Sequence, residues 1–311
     1  MAPRAFAFAS LLSGSDLIVT GKVQDVITEP TVYHISFLVE DYIKGTSNDR
    51  LIKIDVPLAN GLRLEDEPYL EKDGRSLLLF LKPGLSQGVR TITNHAAGVL
   101  PVGMKDDVTR LVQAYQSNPN FFAKENSAAA QNLFFAFTQQ ASKQMLLNDL
   151  ESILSPQDEP FLSALLDSGT EAFQVFGALQ AGRLKIASLR EKVETLLKSS
   201  MSFNVKFHCV VGLGDLGNAN SLPLVLEYVQ DSNADLRNVA FEAAGKIGGN
   251  EIVQPLRERY PQENSDRRLT IIEAIYRLSD RAMAKNTLSY FRSIESKPLL
   301  QSILDNRLST F

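Results

Sequence analysis

Residues 207–217 read FHCVVGLGDLG, and two incompatible folds compete for them. As a strand followed by Gly212, Gly214 and Gly217, the stretch spells G-x-G-x-x-G. Asp231 lies at roughly the twenty-residue distance at which a dinucleotide-binding unit keeps its ribose-binding carboxylate. The rival reading comes from two later segments of the chain. NVKFHCVVGLGDLG begins at Asn204, DLRNVAFEAAGKIG at Asp235 and DRRLTIIEAIYRLS at Asp266, an interval of 31 residues both times.

The overlay places apolar residues in register. Cys209, Ala240 and Ile271 coincide, as do Val210, Phe241 and Ile272; Leu213, Ala244 and Ile275; and Leu216, Ile247 and Leu278. These offsets line one helix face. The intervening segments match as well: Leu222 with Val253 and Ala284, and Val229 with Tyr260 and Phe291. The column of Val225 and Leu256 is imperfect, because the third copy has Thr287. An earlier copy, TEAFQVFGALQAG, lies 34 residues upstream and puts Ala178 at the Gly212 position. A sustained period of this length indicates stacked helical repeats. Gly212 then aligns with Ala243 and Ala274, a small position where helices approach. Gly214 aligns with Gly245 and Tyr276, so no glycine is required there by the pattern. Gly217 aligns with Gly248 and Ser279, just past the last apolar residue, where a left-handed C-cap favours glycine. FHCVV is therefore expected to be helix interior, with the next helix opening near Ser221-Leu222-Pro223, and no cofactor is expected at the glycines.

The segment YVQDSNADLRNVAFEAAGKIGGNEIVQPL (228–256) resembles the HEAT family in its short-repeat form, like that of phycobilisome lyase-type proteins. The resemblance covers about residues 158–293, and residues 126–157 are read as a further, degenerate repeat. It implies an α-solenoid, Asp231 in a turn between paired helices, and Arg237 tying neighbouring turns; Asp167 recurs in an earlier copy. Stacking buries the apolar face of each repeat and leaves outer and concave faces free. One regular exposed column offers a candidate interaction surface: Glu242 with Lys246, and Glu273 with Arg277. Both pairs stand at i,i+4 with the acid first, the spacing of solvated intrahelical pairs.

The first third reads differently. DLIVTGKVQDVI (16–27), TVYHISFLVEDYIKG (31–45), RLIKIDVP (50–57) and SLLLFLKPG (76–84), with GVRTITN (88–94) and AAGVLPV (96–102), make about six short strands, the pattern of a barrel or sandwich. Alternation puts Tyr33, Ile35, Phe37 and Val39 toward the core, and the unbroken apolar run at 77–81 suits a strand buried on both faces. The order of these strands, with Gly21-Lys22-Val23 and Lys44-Gly45, resembles a bacterial domain related to the inhibitory domain of tissue inhibitors of metalloproteinases and to netrin-like modules, whose fold is an OB-type five-stranded barrel. The resemblance spans about residues 11–103. The N-terminal cysteine and the disulfides of the animal inhibitors are missing, so it implies the fold and not the inhibition. The acidic stretch LEDEPYLEKDG (64–74) lacks calcium-loop spacing and is read as a solvated loop.

The organisation expected is β + α in two domains: residues 1–10 as a signal-peptide remnant or N-terminal arm, 11–103 as an OB-like β-barrel, 104–125 as a linker helix and loop opened by Asp106 and Asp107, and 126–311 as a HEAT-repeat solenoid. Ala5-Phe6-Ala7 and Ala7-Phe8-Ala9, behind Arg4, have the texture of a secretory cleavage site. The alternative is an apolar arm that packs on the body. The last helix, within SKPLLQSILDNRLSTF (296–311), either caps the stack or docks elsewhere.

Composition narrows function. The chain has 311 residues, 44% apolar and 22% charged, with a net charge of −4. The charge is evenly spread, 12 basic and 14 acidic side chains in residues 1–120 and 20 and 22 beyond, which gives no electrostatic case for nucleic acid or an anionic membrane. No apolar run reaches the length of a spanning helix. Cys209 is alone, and His34, His95 and His208 are dispersed, so no metal-ligand spacing exists. No nucleophile elbow or phosphate-binding loop with lysine is present. These observations favour an exported (periplasmic or extracellular), non-catalytic binding or scaffold protein with a protein partner. Two alternatives stay open: an oligosaccharide-binding barrel, and a lyase-like enzyme subunit or chaperone of the cytoplasm, in which His208 and Cys209 would be the residues of interest.

Overall fold

The structure is a computed structural model that describes residues 8–57, 74–86, 88–93 and 98–311. The acidic stretch at 64–73, His95 and the residues up to Ala7 lie outside the described residues. The chain divides into two compact units, Met1–Leu154 and Ser155–Phe311.

In the first unit, helix α1 (Phe8–Gly14) precedes strands β1 (Leu17–Thr28), β2 (Val32–Lys44), β3 (Leu51–Pro57), β4 (Ser76–Pro83), β5 (Val89–Ile92) and β6 (Val99–Pro101). Pairing runs β1-β2-β3-β5-β4 and returns from β4 to β1, so five strands close into a barrel. The β3–β5 pair is parallel, and the others are antiparallel. The short β5 and β6 share one edge of β4, at residues 81–83 and 77–79. The alternation in β2 acts as expected: Tyr33, Ile35, Phe37 and Val39 join Val19, Ile54 and Leu79 in the barrel core. Strand β4 is buried on both faces. Leu77, Leu79 and Leu81 point inward, while Leu78 and Phe80 are also fully buried in a strand that packs against α1. Gly21 sits at a register shift between β1 and β2, where a Cβ would stand 2.0 Å from the Leu38 carbonyl oxygen. A bulge that brings two backbones this close admits only glycine.

Helices α2 (Lys105–Ser117), α3 (Ser127–Ala136) and α4 (Gln140–Ile153) complete this unit. Asp107, fully buried, accepts hydrogen bonds from Thr138 N and Gln139 N, both at 2.9 Å, at the start of α4. Asp149 on α4 accepts from Phe8 N at 2.8 Å and Ala9 N at 3.1 Å. At the other end of α1, Lys44 Nζ donates to Leu12 O (2.6 Å) and Ser15 O (2.5 Å). An acid at its N-terminus and a cation at its C-terminus match the helix dipole of α1. These ties group α3 and α4, from the segment read as a degenerate repeat, with the barrel.

The second unit is a stack of helix pairs: α5 (Glu159–Leu166) with α6 (Glu171–Arg183), α7 (Arg190–Ser199) with α8 (Phe203–Leu216), α9 (Leu222–Tyr228) with α10 (Ala234–Ile247), α11 (Val253–Arg259) with α12 (Ser265–Tyr276), and α13 (Arg281–Ile294) with α14 (Pro298–Leu308). FHCVV is helix interior, and α8 closes at Gly217 with φ +68°, a left-handed cap. The repeat also fixes the helix starts. Ser202, Asn233 and Asn264, 31 residues apart, each accept a backbone N–H of the turn they open, an N-cap geometry.

The core columns are largely as the overlay predicts. Cys209, Ala240 and Ile271 are fully buried, as are Val210, Phe241 and Ile272. The imperfect column holds too: Thr287 is buried and its hydroxyl bonds to Met283 O of its own helix at 2.8 Å, which removes the cost of an unpaired polar group. Two expectations are corrected. Leu216 and Ile247 are only half-buried, whereas Leu278 is in the core. Gly214 and Gly245 do require glycine: a Cβ at either would stand 2.7 or 2.6 Å from the Cα of Ala243 or Ala274 in the next helix of the row. Tyr276 is tolerated in that column because it meets the C-terminal segment instead, Thr310 at 3.0 Å and the Phe311 ring at 5.7 Å. The last helix, α14, packs on α12 and α13 and caps the stack.

Candidate interaction face

The second helices of three pairs, α8, α10 and α12, each carry one stripe that is exposed or half-buried. On α8 it runs through Asn204, Phe207, Val211 and Asp215, on α10 through Asp235, Asn238, Glu242 and Lys246, and on α12 through Asp266, Leu269, Glu273 and Arg277. The offsets of three, seven and eleven keep each set on one side of its helix, and the 31-residue period aligns the sets.

Charges along the stripe are cross-linked between helices. Lys246 Nζ bonds Glu242 Oε1 at 2.8 Å on its own helix and Asp215 Oδ1 at 2.9 Å on α8. Partial burial works to lower its pKa, but the two carboxylates outweigh that and hold the ammonium above its ordinary value. The expected Glu273–Arg277 pair does not form. Glu273 instead accepts from Arg307 of α14, at 2.8 and 3.0 Å, because α14 packs against α12 and brings a guanidinium to its side. A planar fork there gives two bonds to one carboxylate oxygen. Arg277 is exposed, with no ion pair among the described residues. It continues the column of Asp215 and Lys246 as the cation left over.

Beside the charges lies an apolar edge that the overlay did not single out. Met201 is 94% exposed and Phe203 46% exposed, and the Phe203 ring meets that of Phe207 at 5.8 Å. Leu269 occupies the Phe207 column on α12 and is also exposed. The available signal was Phe203 and Phe207 at i,i+4, a spacing that makes one patch on a helix whose core columns are already filled by Cys209, Val210 and Leu213.

A second set of ties runs between repeats. Glu263, buried, accepts from Arg237 Nε at 2.7 Å and Arg259 Nε at 2.8 Å. Arg237 also donates to the Asp231 and Ser232 carbonyls, at 2.8 and 3.0 Å. One repeat on, Arg268 pairs with buried Glu295 at 3.2 Å, and Tyr260 Oη donates to Glu295 Oε2 at 2.6 Å. Burial alone would raise both glutamates, but the bonds from arginine, tyrosine and backbone N–H groups hold their pKa values below the usual range. Arg237 thus ties turns as the resemblance implies, and sequence reasoning missed only its partners. Asp167 instead meets Lys192, on the first helix of the next pair, at the surface.

His208 and Cys209 are not brought together as a reactive pair. His208 Nδ1 bonds Asn204 O at 2.7 Å at the surface. Cys209 is fully buried, and desolvation pushes its thiol up to about 12, which removes the thiolate needed for nucleophilic chemistry. In the barrel, a groove of about 820 Å³ is lined by Thr31, Asp55, Pro57, Lys82, Leu85 and Ser86 among others. Tyr33 and Phe37, the rings that a sugar or base would stack on, are in the barrel core instead.

Residues 191–275 match the HEAT-repeat family, which spans α7 to α12 and contains most of the stripe. No curated protein matches the chain. Among the described residues, no helix is long and apolar enough to cross a membrane.

Proposed function

We propose that this protein is an exported, non-catalytic binding protein whose HEAT solenoid presents its exposed stripe to a protein partner. The observation that carries the reading is the apolar edge of Met201, Phe203 and Phe207 together with the exposed guanidinium of Arg277, all on one stack of repeats. Solenoids use such extended surfaces for recognition, and aromatic side chains with arginine are the groups that dominate protein interfaces. The barrel fits the same reading as a companion module, and its closure over five strands supports the OB-type resemblance. Export is supported by the small-residue pattern at Ala5-Phe6-Ala7.

The test uses the full chain carrying a photo-reactive residue at Leu269, cross-linked in the cells that make it. The expected result is one dominant cross-linked protein, in the exported fraction, whose capture is lost in the Phe203→Ser/Phe207→Ser and Arg277→Glu variants without a change in thermal stability. Capture that survives all of these substitutions, or that maps only to the barrel, overturns the assignment of the face.

A further inference from the structure

We propose that the chain is cut between Ala7 and Phe8, and that the α-ammonium group freed on Phe8 is the counter-ion of the buried Asp149 carboxylate. The proposal rests on the export reading for the cut and on geometry for the ion pair.

Asp149 is 4% exposed, and its two oxygens receive Phe8 N at 2.8 Å and Ala9 N at 3.1 Å. No lysine, arginine or histidine among the described residues pairs with it, and burial pushes its carboxyl up to about 7 despite the two N–H bonds. A buried carboxylate without a cation is an expensive arrangement. The atom nearest to it, Phe8 N, is the one that becomes a cation if the chain starts there. An ammonium supplies the same hydrogen bond with a full positive charge, and charge-assisted bonds of this kind are the stronger ones.

The sequence supplies the cut independently. Ala5 and Ala7 stand third and first before the Ala7–Phe8 bond, the small-residue positions of a leader cleavage site. The overlapping frame, Ala7 and Ala9, would cut before Ser10. That frame removes Phe8, whose ring is fully buried and meets Phe137 edge-on at 6.2 Å, and takes both donors from Asp149. Only the first frame leaves the core whole, because Leu11 and Leu12 are also fully buried and keep α1 in place.

The chemistry is hydrolysis by a leader-processing endopeptidase, acting on the chain before it folds. The C–N bond between Ala7 and Phe8 breaks, and water gives its hydroxyl to the Ala7 carbonyl carbon and a proton to the Phe8 nitrogen. The amine, with an ordinary pKa near 7.7–8.0, takes a further proton from solvent.

Two measurements test this. The first is intact mass and N-terminal sequencing of the protein isolated from its own cells, fraction by fraction. An exported protein starting at Phe8 supports the proposal. An exported protein starting elsewhere overturns the cut while leaving export standing, and a protein found only uncut inside the cell overturns both. The second compares full-length chains that start at Phe8 with a free amine, at Phe8 with an acetylated amine, and at Met1. The free-amine form is expected to melt highest, and Asp149→Asn is expected to erase its advantage over the acetylated form. If that variant does not fold, the pKa of the Phe8 amine measured by NMR in the unsubstituted protein decides, with a rise of about one unit or more above the ordinary range as the expected result. Equal melting of free and acetylated forms, or an unshifted amine, overturns the ion pair.

Discussion

Replacing Gly245 by alanine sets two physical effects against each other. In an isolated helix the change is favourable by about 1 kcal/mol, because glycine loses the most backbone entropy on folding. In the solenoid, the new Cβ would stand 2.6 Å from Ala274 Cα and 2.7 Å from Ala274 Cβ. Carbon atoms in contact sit at about 3.5–4.0 Å, so α10 and α12 must move apart by roughly 1 Å. The obstacle is backbone and cannot rotate away. A gap of this size forfeits about a quarter to a half of the dispersion energy of each contact it opens, and overpacking of this kind costs about 1–3 kcal/mol. The upper part of that range applies, and subtracting the helix-propensity gain leaves a net loss of about 1–2 kcal/mol. For a unit of this size the melting temperature should fall by about 2–8 °C, read by circular dichroism in the far ultraviolet. Gly103→Ala is the control, since nothing lies within 4 Å of a Cβ there, and its melting temperature should hold or rise. A Gly245→Ala protein as stable as the parent, or more stable, would refute the close-approach argument.

Four other perturbations probe the caps, the ties and the buried thiol. Gly217→Ala forces a side chain into φ +68° at the end of α8 and should cost about 1 kcal/mol, measured by urea denaturation. Glu263→Ala leaves Arg237 and Arg259 facing each other without their shared carboxylate and should cost about 3–5 kcal/mol; a loss under about 1 kcal/mol would show that the tie is ornamental. Because Glu263 and Glu295 have folded pKa values below their unfolded ones, their contribution is complete above the ordinary carboxylate range and is lost as pH falls through the lowered values. Stability should therefore drop on acidification below about pH 4.3, and less steeply in Glu263→Gln. Cys209, with its thiol pushed up to about 12, should resist a thiol reagent at mildly alkaline pH until the protein unfolds; fast labelling of the native state would contradict its burial.

The repeat was legible in the chain alone, since 31-residue self-similarity places caps and core columns without knowledge of any distance. So were the barrel's strands and the inward face of β2, because a period of two is a local property. The resemblance to HEAT repeats named Arg237 as a tie, but not its partner Glu263, whose role depends on Arg237 of α10 and Arg259 of α11 converging on it. The glycine pattern shows the limit most clearly. Gly217 was legible because a left-handed cap is a feature of one chain segment. Gly214 and Gly245 were not, because their need arises from the backbone of the next helix. The exchange of Arg277 for Arg307 as the partner of Glu273 has the same cause, as has the meeting of Asp149 with Phe8 across 141 residues. Periodicity reports which face of an element is buried; packing in three dimensions settles which atoms of another element lie against it.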